Sequence, residues 1–480
     1  MKSIIIWYLV FVSGAVFGQS VKLSGEVVDE NGEPLRGANI WLFPDSLMID
    51  TDRRGHFSFS EGIEQDSYLL ISHIGYVTQR INFFPGQKAE GFRVVLIPSD
   101  QLLSEVLVET NPFRKQEDAL NVEVVGRDFL QKYMGGSLMH TLERLPGIST
   151  IGIGSGQSKP LIRGLGFNRV VVLDKGIKHE GQQWGADHGL ELDQFAAEEV
   201  ELIKGAASFA YGSDAIGGAI NVKPVPAPDP GTFGGSVDLI GKSNNNLLGT
   251  SINLFSRNEK LYFDTRLSYQ RYGDYRVPTD VVHVYDFPVK LYRNHLRNTA
   301  GKETGFHLQA GYLGDRAKSI LYFSHIYSKS GFFANAHGLE PRRVDTDLHD
   351  SSDRDIQMPN QQVDHYKIIS HTAYRFSGHR LEMELGYQRN LREEYSAYVN
   401  HGYMPPVYPS EMPVSSSLER AFDKRVYSVN LRDNLSYGKH LLAVGMSGEY
   451  QDNAISGWSF LVPAFRQVMA GAFVYDKRQD

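Results

Sequence analysis

The sequence contains no cysteine. That excludes a disulfide framework, a thiolate metal centre, an iron–sulfur cluster and a lipid-modified N-terminal cysteine. It has no excess of positive charge: 49 Lys and Arg stand against 56 Asp and Glu, for a formal charge of −7. No basic footprint therefore exists for sequence-independent nucleic-acid binding. No apolar run, including the one at the N-terminus, reaches the roughly 20 residues of a membrane helix. Mean hydropathy is −0.31, which excludes a bundle of such helices. What is present is the composition of a folded chain, 41% apolar and 22% charged.

The one apolar run opens the chain. Lys2 is a short positive region, and Ile4 to Phe17 is apolar. Val16, Phe17 and Gly18 then precede a cut at Gln19, so residues 1–18 read as a secretory signal peptide. Export does not exclude a membrane destination. A closed β-barrel satisfies every backbone group and crosses lipid without a long apolar run.

The rest divides by pattern into a mainly β chain. Residues 19–98 carry closely spaced turn signals at Asp29–Gly32, Asp52–Gly55 and Ile74–Tyr76. Between them lie short strands at Ala38–Leu42 and His56–Phe59, which predicts a β-sandwich. Residues 99–115 are a linker whose stretch Leu102–Thr110 is extended and rich in β-branched residues. Such a free strand can add to the sheet edge of another protein. Residues 116–230 form an α+β domain. A short helix spans Leu138–Leu145 and stops at Pro146-Gly147, glycine becomes dense, and strands follow at Arg169–Leu173, Val200–Gly205 and Ala219–Val222. Prolines 226, 228 and 230 close it.

From 231 to 480 the period is two. Leu261, Phe263, Thr265, Leu267 and Tyr269 alternate with Tyr262, Asp264, Arg266, Ser268 and Gln270. Leu381, Met383, Leu385 and Tyr387 alternate with Glu382, Glu384, Gly386 and Gln388. About ten segments of this kind predict the antiparallel wall of a partial transmembrane β-barrel, with lipid outside and water or a plug inside. A soluble sheet with one wet face is the competing reading. The polar loops Val277–Lys302 and Leu339–Val363, together with the export signal, favour the membrane.

Three ordered motifs between 116 and 222 resemble the plug domain of TonB-dependent outer-membrane receptors. They are Leu142–Ile148, then Pro160–Gly166 with Asn168–Asp174, then Val200–Gly205 with Tyr211–Asn221. Ala206 and Lys175 depart from the usual pattern. Residues 25–29, 32–38, 51–57 and 71–76 resemble the carboxypeptidase regulatory-like domain, a non-catalytic module. A front domain before a plug and barrel is the order of Bacteroidetes-type receptors. The resemblance implies a Gram-negative outer-membrane location with front domain and plug facing the periplasm. It implies a TonB–ExbB–ExbD partner engaging Ser104, Glu105, Val106, Leu107 and Val108, and energised uptake of a small extracellular ligand with no cofactor required. It also implies a barrel of about 22 strands. At the spacing seen here that needs roughly 550 residues. The 250 residues from 231 to 480 then predict a C-terminally truncated chain.

The cargo is read from histidines and carboxylates. The plug segment 179–193 holds His179, Asp187, His188 and Glu191, and a loop further on holds His337, Glu340 and His349. Imidazole and carboxylate without thiolate suit zinc, then copper. Asp187-His188 resembles the plug dipeptide of zinc-uptake receptors. A divalent metal ion is therefore the first expectation for the cargo. Haem or a ferric siderophore is the alternative, served by the tyrosine-rich loop 398–408. A zinc carboxypeptidase-like hydrolase is remote, since His188-x-x-Glu191 lies in a glycine-rich pattern without an enzyme scaffold.

Overall fold

A computed structural model describes residues 23–96 and 121–478, apart from short breaks. The longest breaks are 60–66, 84–89, 182–187 and 334–346 with 348–350. The signal peptide 1–18, the strand-like segment 104–108, and Asp187, His337, Glu340 and His349 lie outside the described residues. The chain forms two compact units, one up to Thr110 and one from Asn111 onward.

In the first unit, alternating apolar residues build two facing sheets. Strand β1 (Leu23–Asp29) lies between β4 (His56–Phe59) and β7 (Glu90–Leu96). The other sheet runs β3 (Leu47–Asp50), β2 (Asn39–Phe43), β5 (Ser67–Ser72), β6 (Gln79–Phe83). Their inward residues, among them Leu23, Val27, Ile40, Phe57, Leu69 and Ile71, form one core, as in a sandwich. Thr51 ties a turn into that core, accepting from Ala38 N at 2.8 Å and donating to Leu35 O at 2.6 Å.

The second unit begins with the α+β domain. Five strands lie in the order β12 (Ile177–Lys178), β11 (Val170–Asp174), β14 (Gly218–Val222), β13 (Glu199–Lys204), β8 (Asn121–Gly126). Helices α1 (Arg127–Lys132) and α2 (Leu138–Leu142) contribute Phe129, Leu130, Leu138, Met139 and Leu142 to its core. A hairpin of β9 (Ile148–Gly152) and β10 (Ser158–Ile162) joins them. Helix α2 ends three residues short of the sequence expectation, because Leu145 precedes a proline and is biased away from helical backbone. Strand β8 and helix α1 have no counterpart in the sequence reading. Gly218 sits at φ +140°, where an added Cβ would lie 2.8 Å from Ile203 O. That close approach, with the positive φ, explains the glycine that opens β14.

The wall is one antiparallel sheet of ten strands in chain order. They are β15 (Thr232–Lys242), β16 (Leu247–Arg257), β17 (Leu261–Tyr272), β20 (Gly301–Leu313), β21 (Ala317–Gly331), β22 (Asn360–Phe376), β23 (His379–Tyr395), β24 (Leu418–Tyr437), β25 (His440–Ser456) and β26 (Phe465–Arg478). A small hairpin, β18 (Val281–Val284) with β19 (Phe287–Lys290), decorates the connection after β17. Connections of two or three residues after β16, β20, β22 and β24 alternate with long ones after β17, β21 and β23. Short turns at one rim and long loops at the other are the habit of outer-membrane barrels. The two faces are reversed relative to a soluble sheet: Leu267 is 58% exposed while Arg266 and Gln270 on the same strand are each 2% exposed. Apolar side chains pointing out and charged ones buried within require lipid outside, which decides against the soluble alternative.

Candidate functional site

The plug segment running from the end of β11 into the loop after β12 lies against the inner face of the wall. On β23 the alternation puts Gln388, Asn390, Arg392 and Glu394 on that face, each no more than 1% exposed. Neighbouring strands add His365 and Lys367 from β22 and Lys424 from β24. Buried groups of this kind require partners, and most of these come from the plug.

The pairing follows the plug chain. Lys367 Nζ meets Asp174 Oδ2 at 2.5 Å. Gln388 donates to Lys178 O at 2.7 Å and accepts from Glu180 N at 3.2 Å. Lys424 Nζ meets Glu180 Oε2 at 2.5 Å, and Lys178 Nζ meets Glu180 Oε1 at 2.6 Å. His188 Nε2 is 2.7 Å from Glu394 Oε1, and Arg392 Nη2 is 2.7 Å from Glu191 Oε1. Burial opposes charge on Glu180, but Lys424 and Lys178 outweigh it and push its carboxyl down to about 2. Burial likewise opposes charge on Asp174 and Glu191. Lys175 and Lys367 hold Asp174 well below the usual range, and His179 and Arg392 hold Glu191 below it. Burial, then Lys367, lowers His179, so its imidazole is neutral near pH 7.

Within this seam His179, Glu191 and His365 converge, each offering a ligand atom within 4.8 Å of the other two. His179 Nε2 is 3.5 Å and His365 Nδ1 is 4.0 Å from Glu191 Oε2. The imidazole rings lie 4.7 Å apart at 34°. Gly181 makes room, since a Cβ there would stand 2.7 Å from Glu191 Oε2. A buried His/Glu/His cluster of this kind is compatible with a metal ion.

The structure therefore joins two sequence-chosen residues, His179 and Glu191, to His365, which the sequence places just past the polar loop Leu339–Val363. His365 is not in that loop but on β22, inside the wall. His188 and Glu191 engage different partners, Glu394 and Arg392. Arg392, Lys367, Asn390 and Lys424 were not singled out. For Lys367 the signal is a polar residue between the outward Tyr366 and Ile368, whereas Lys424 lies between Asp423 and Arg425 and carries no such signal.

The comparisons agree with this geometry. Residues 114–219 match the family model described as the TonB-dependent receptor plug domain, and residues 23–108 match the CarboxypepD_reg-like domain. A plug set into an inside-out antiparallel wall is the architecture of TonB-dependent outer-membrane receptors, with the plug facing the periplasm. The chain has the domain composition and fold of that family of transport proteins, so the hydrolase reading is set aside.

A protein named vitamin B12 transporter BtuB from Vibrio vulnificus is 33% identical over 127 residues, which are 25% of this chain and 21% of that protein. The transporter of the same name from Photobacterium profundum is 29% identical over 150 residues, 29% of this chain and 24% of that protein. A mutant of the ferric enterobactin receptor PfeA from Pseudomonas aeruginosa superposes with TM-score 0.55 at 12% identity, covering 74% of this chain and 54% of that one. The siderophore receptor PirA from Acinetobacter baumannii gives TM-score 0.52 at 14% identity, covering 69% and 48%. The chain thus spans about half the length of these solved receptors and under a quarter of the curated relatives.

Proposed function

We propose that the protein serves energised uptake of a scarce extracellular nutrient across the outer membrane. A periplasmic TonB–ExbB–ExbD complex would engage Ser104–Val108 by strand addition. The observation that carries this reading is the polar plug–wall seam. A plug held by ion pairs rather than by an apolar core can part from its wall and be rehydrated, which a pulled gate requires.

For the cargo, a metal chelate of the haem or ferric-siderophore class is the first reading. Tyr398 packs edge-on against Tyr408 and Trp458, at 5.2 and 5.1 Å, in the connections after β23 and β25. The half-buried Tyr398 and Tyr408, backed by the buried Trp458, would offer ring edges to an organic ligand. The curated relatives are also named for an organic cofactor, vitamin B12. The second reading is a bare divalent ion, zinc before copper. It is favoured by the His179, Glu191 and His365 cluster and by the resemblance of Asp187-His188 to zinc-uptake receptors.

The test is uptake by cells producing the receptor, offered haem, a ferric siderophore and zinc in turn, each radiolabelled. One of the three should accumulate, and accumulation should stop with Val106→Pro, which removes a strand-pairing N–H. Uptake untouched by Val106→Pro would overturn the energised reading. Uptake of zinc alone would replace the chelate with the ion.

A further inference from the structure

We infer that His179, Glu191 and His365 form a divalent-cation site, for zinc or copper(II), whose ligands come from both plug and wall. It differs from the plug-and-loop site expected from the sequence, because the wall ligand is His365 on β22. The seam geometry carries this whatever the cargo is.

The donor set is chemically specific. Two imidazoles and one carboxylate, with no thiolate, match zinc and copper(II) and leave a fourth position for water. All three residues are buried, at 1% for His179, 5% for Glu191 and 0% for His365. Arg392 occupies only Oε1 of Glu191, which leaves Oε2 turned toward both imidazoles.

A second observation is independent of the cluster's spacing. His365 Nδ1 lies 2.9 Å from Asn390 Nδ2, whereas His365 Nε2 is buried without a hydrogen-bond partner among the described residues. A buried polar atom left unpaired has lost its hydration without gaining a partner, which is destabilising. One ring nitrogen held by an amide while the other is left free is the usual outer-shell arrangement of a metal-binding histidine. Amide orientation is assigned from hydrogen bonding, and turning Asn390 would place Oδ1 on an Nδ1–H, leaving Nε2 as the donor.

The surrounding charge permits a cation. Lys367 is matched by Asp174, and Arg392 by Glu191. Because β22 supplies one ligand and the plug supplies two, displacing the plug from the wall separates the ligands and releases the ion.

The experiment uses the full chain folded in detergent, stripped with chelator and titrated with zinc or copper(II) against a chromophoric competitor. One ion per chain is expected, with affinity lowered at least ten-fold in His179→Gln and in His365→Gln. His325→Gln, a histidine paired with Asp364 away from the seam, should bind as the parent does. Pulsed electron paramagnetic resonance of the copper-loaded parent should show two coordinated imidazoles, falling to one in His365→Gln. No stoichiometric binding by the parent, or fewer than two imidazoles in its spectrum, would overturn the site. So would affinity equal to the parent's in both variants. The spectrum of the parent decides the matter even if a variant does not fold. Since binding is read without transport, its failure is separable from failure of the uptake reading.

Discussion

Lys424 Nζ lies 2.5 Å from Glu180 Oε2, joining a wall strand to the plug across 244 residues of sequence. The same carboxylate holds Lys178, which also reaches Asp214 at 2.8 Å. Asp174 with Lys367 and Glu191 with Arg392 repeat the arrangement along the seam. Apolar contact between plug and wall includes a small cluster of Ile177 with Tyr322 and Ile369. Buried ion pairs contribute little net stability, because desolvation offsets their attraction, yet removing one partner is costly. The seam therefore sets where the plug sits more than how tightly it is held.

Replacing Lys424 by Met should loosen the plug. It leaves Glu180 with one cation instead of two, at a cost of about 3 kcal/mol. Amide hydrogen exchange should rise over β11 and β12 while the outer wall strands are unchanged. Lys424→Arg should preserve most of the protection. Equal exchange in Lys424→Met and parent would show that the pair holds nothing.

Acid should act in the same direction. The folded pKa of Glu180 is depressed to about 2 from 4.5, so its contribution is present above pH 4.5 and is lost as pH falls toward 2. The amount is on the order of 3 kcal/mol. Asp174 and Glu191 are depressed as well and carry the same sign. His179, held neutral by burial, adds a loss that begins as pH falls below its usual 6.5. Plug protection followed from pH 7 to pH 3 should decline throughout, and a flat profile would contradict the seam's electrostatics.

Two glycines of the plug should respond differently to alanine. Gly218→Ala meets Ile203 O at 2.8 Å and an unfavourable φ, and should cost about 2–4 kcal/mol. Gly205 has φ +82° but nothing within 4 Å of a new Cβ, so Gly205→Ala should cost only about 1 kcal/mol. Thermal unfolding of the two variants side by side checks the order.

The outer face of the wall should tolerate size but not charge. Leu267→Arg places a cation on the lipid face and should cost about 2–4 kcal/mol near the bilayer midplane. Leu267→Phe should cost little. Urea unfolding in lipid vesicles separates the two, and equal stability would mean that this face does not meet lipid.

By itself the sequence determines the elements whose cause is local. The period-two alternation of 231–480 is legible because each wall strand has two faces in two different media. The plug motifs are legible because turns such as the one before Gly218 accept only glycine. The donors His179 and Glu191 stand out because few residues bind metals and these two lie close together. Only the tertiary structure decides that their third companion is His365, and that His188 answers to Glu394. Those pairings join residues about 200 positions apart, and their register is set by how the plug docks on β22, β23 and β24. No local pattern encodes that docking, since most inward positions of β22, β23 and β24 are polar and equally available until the plug is in place.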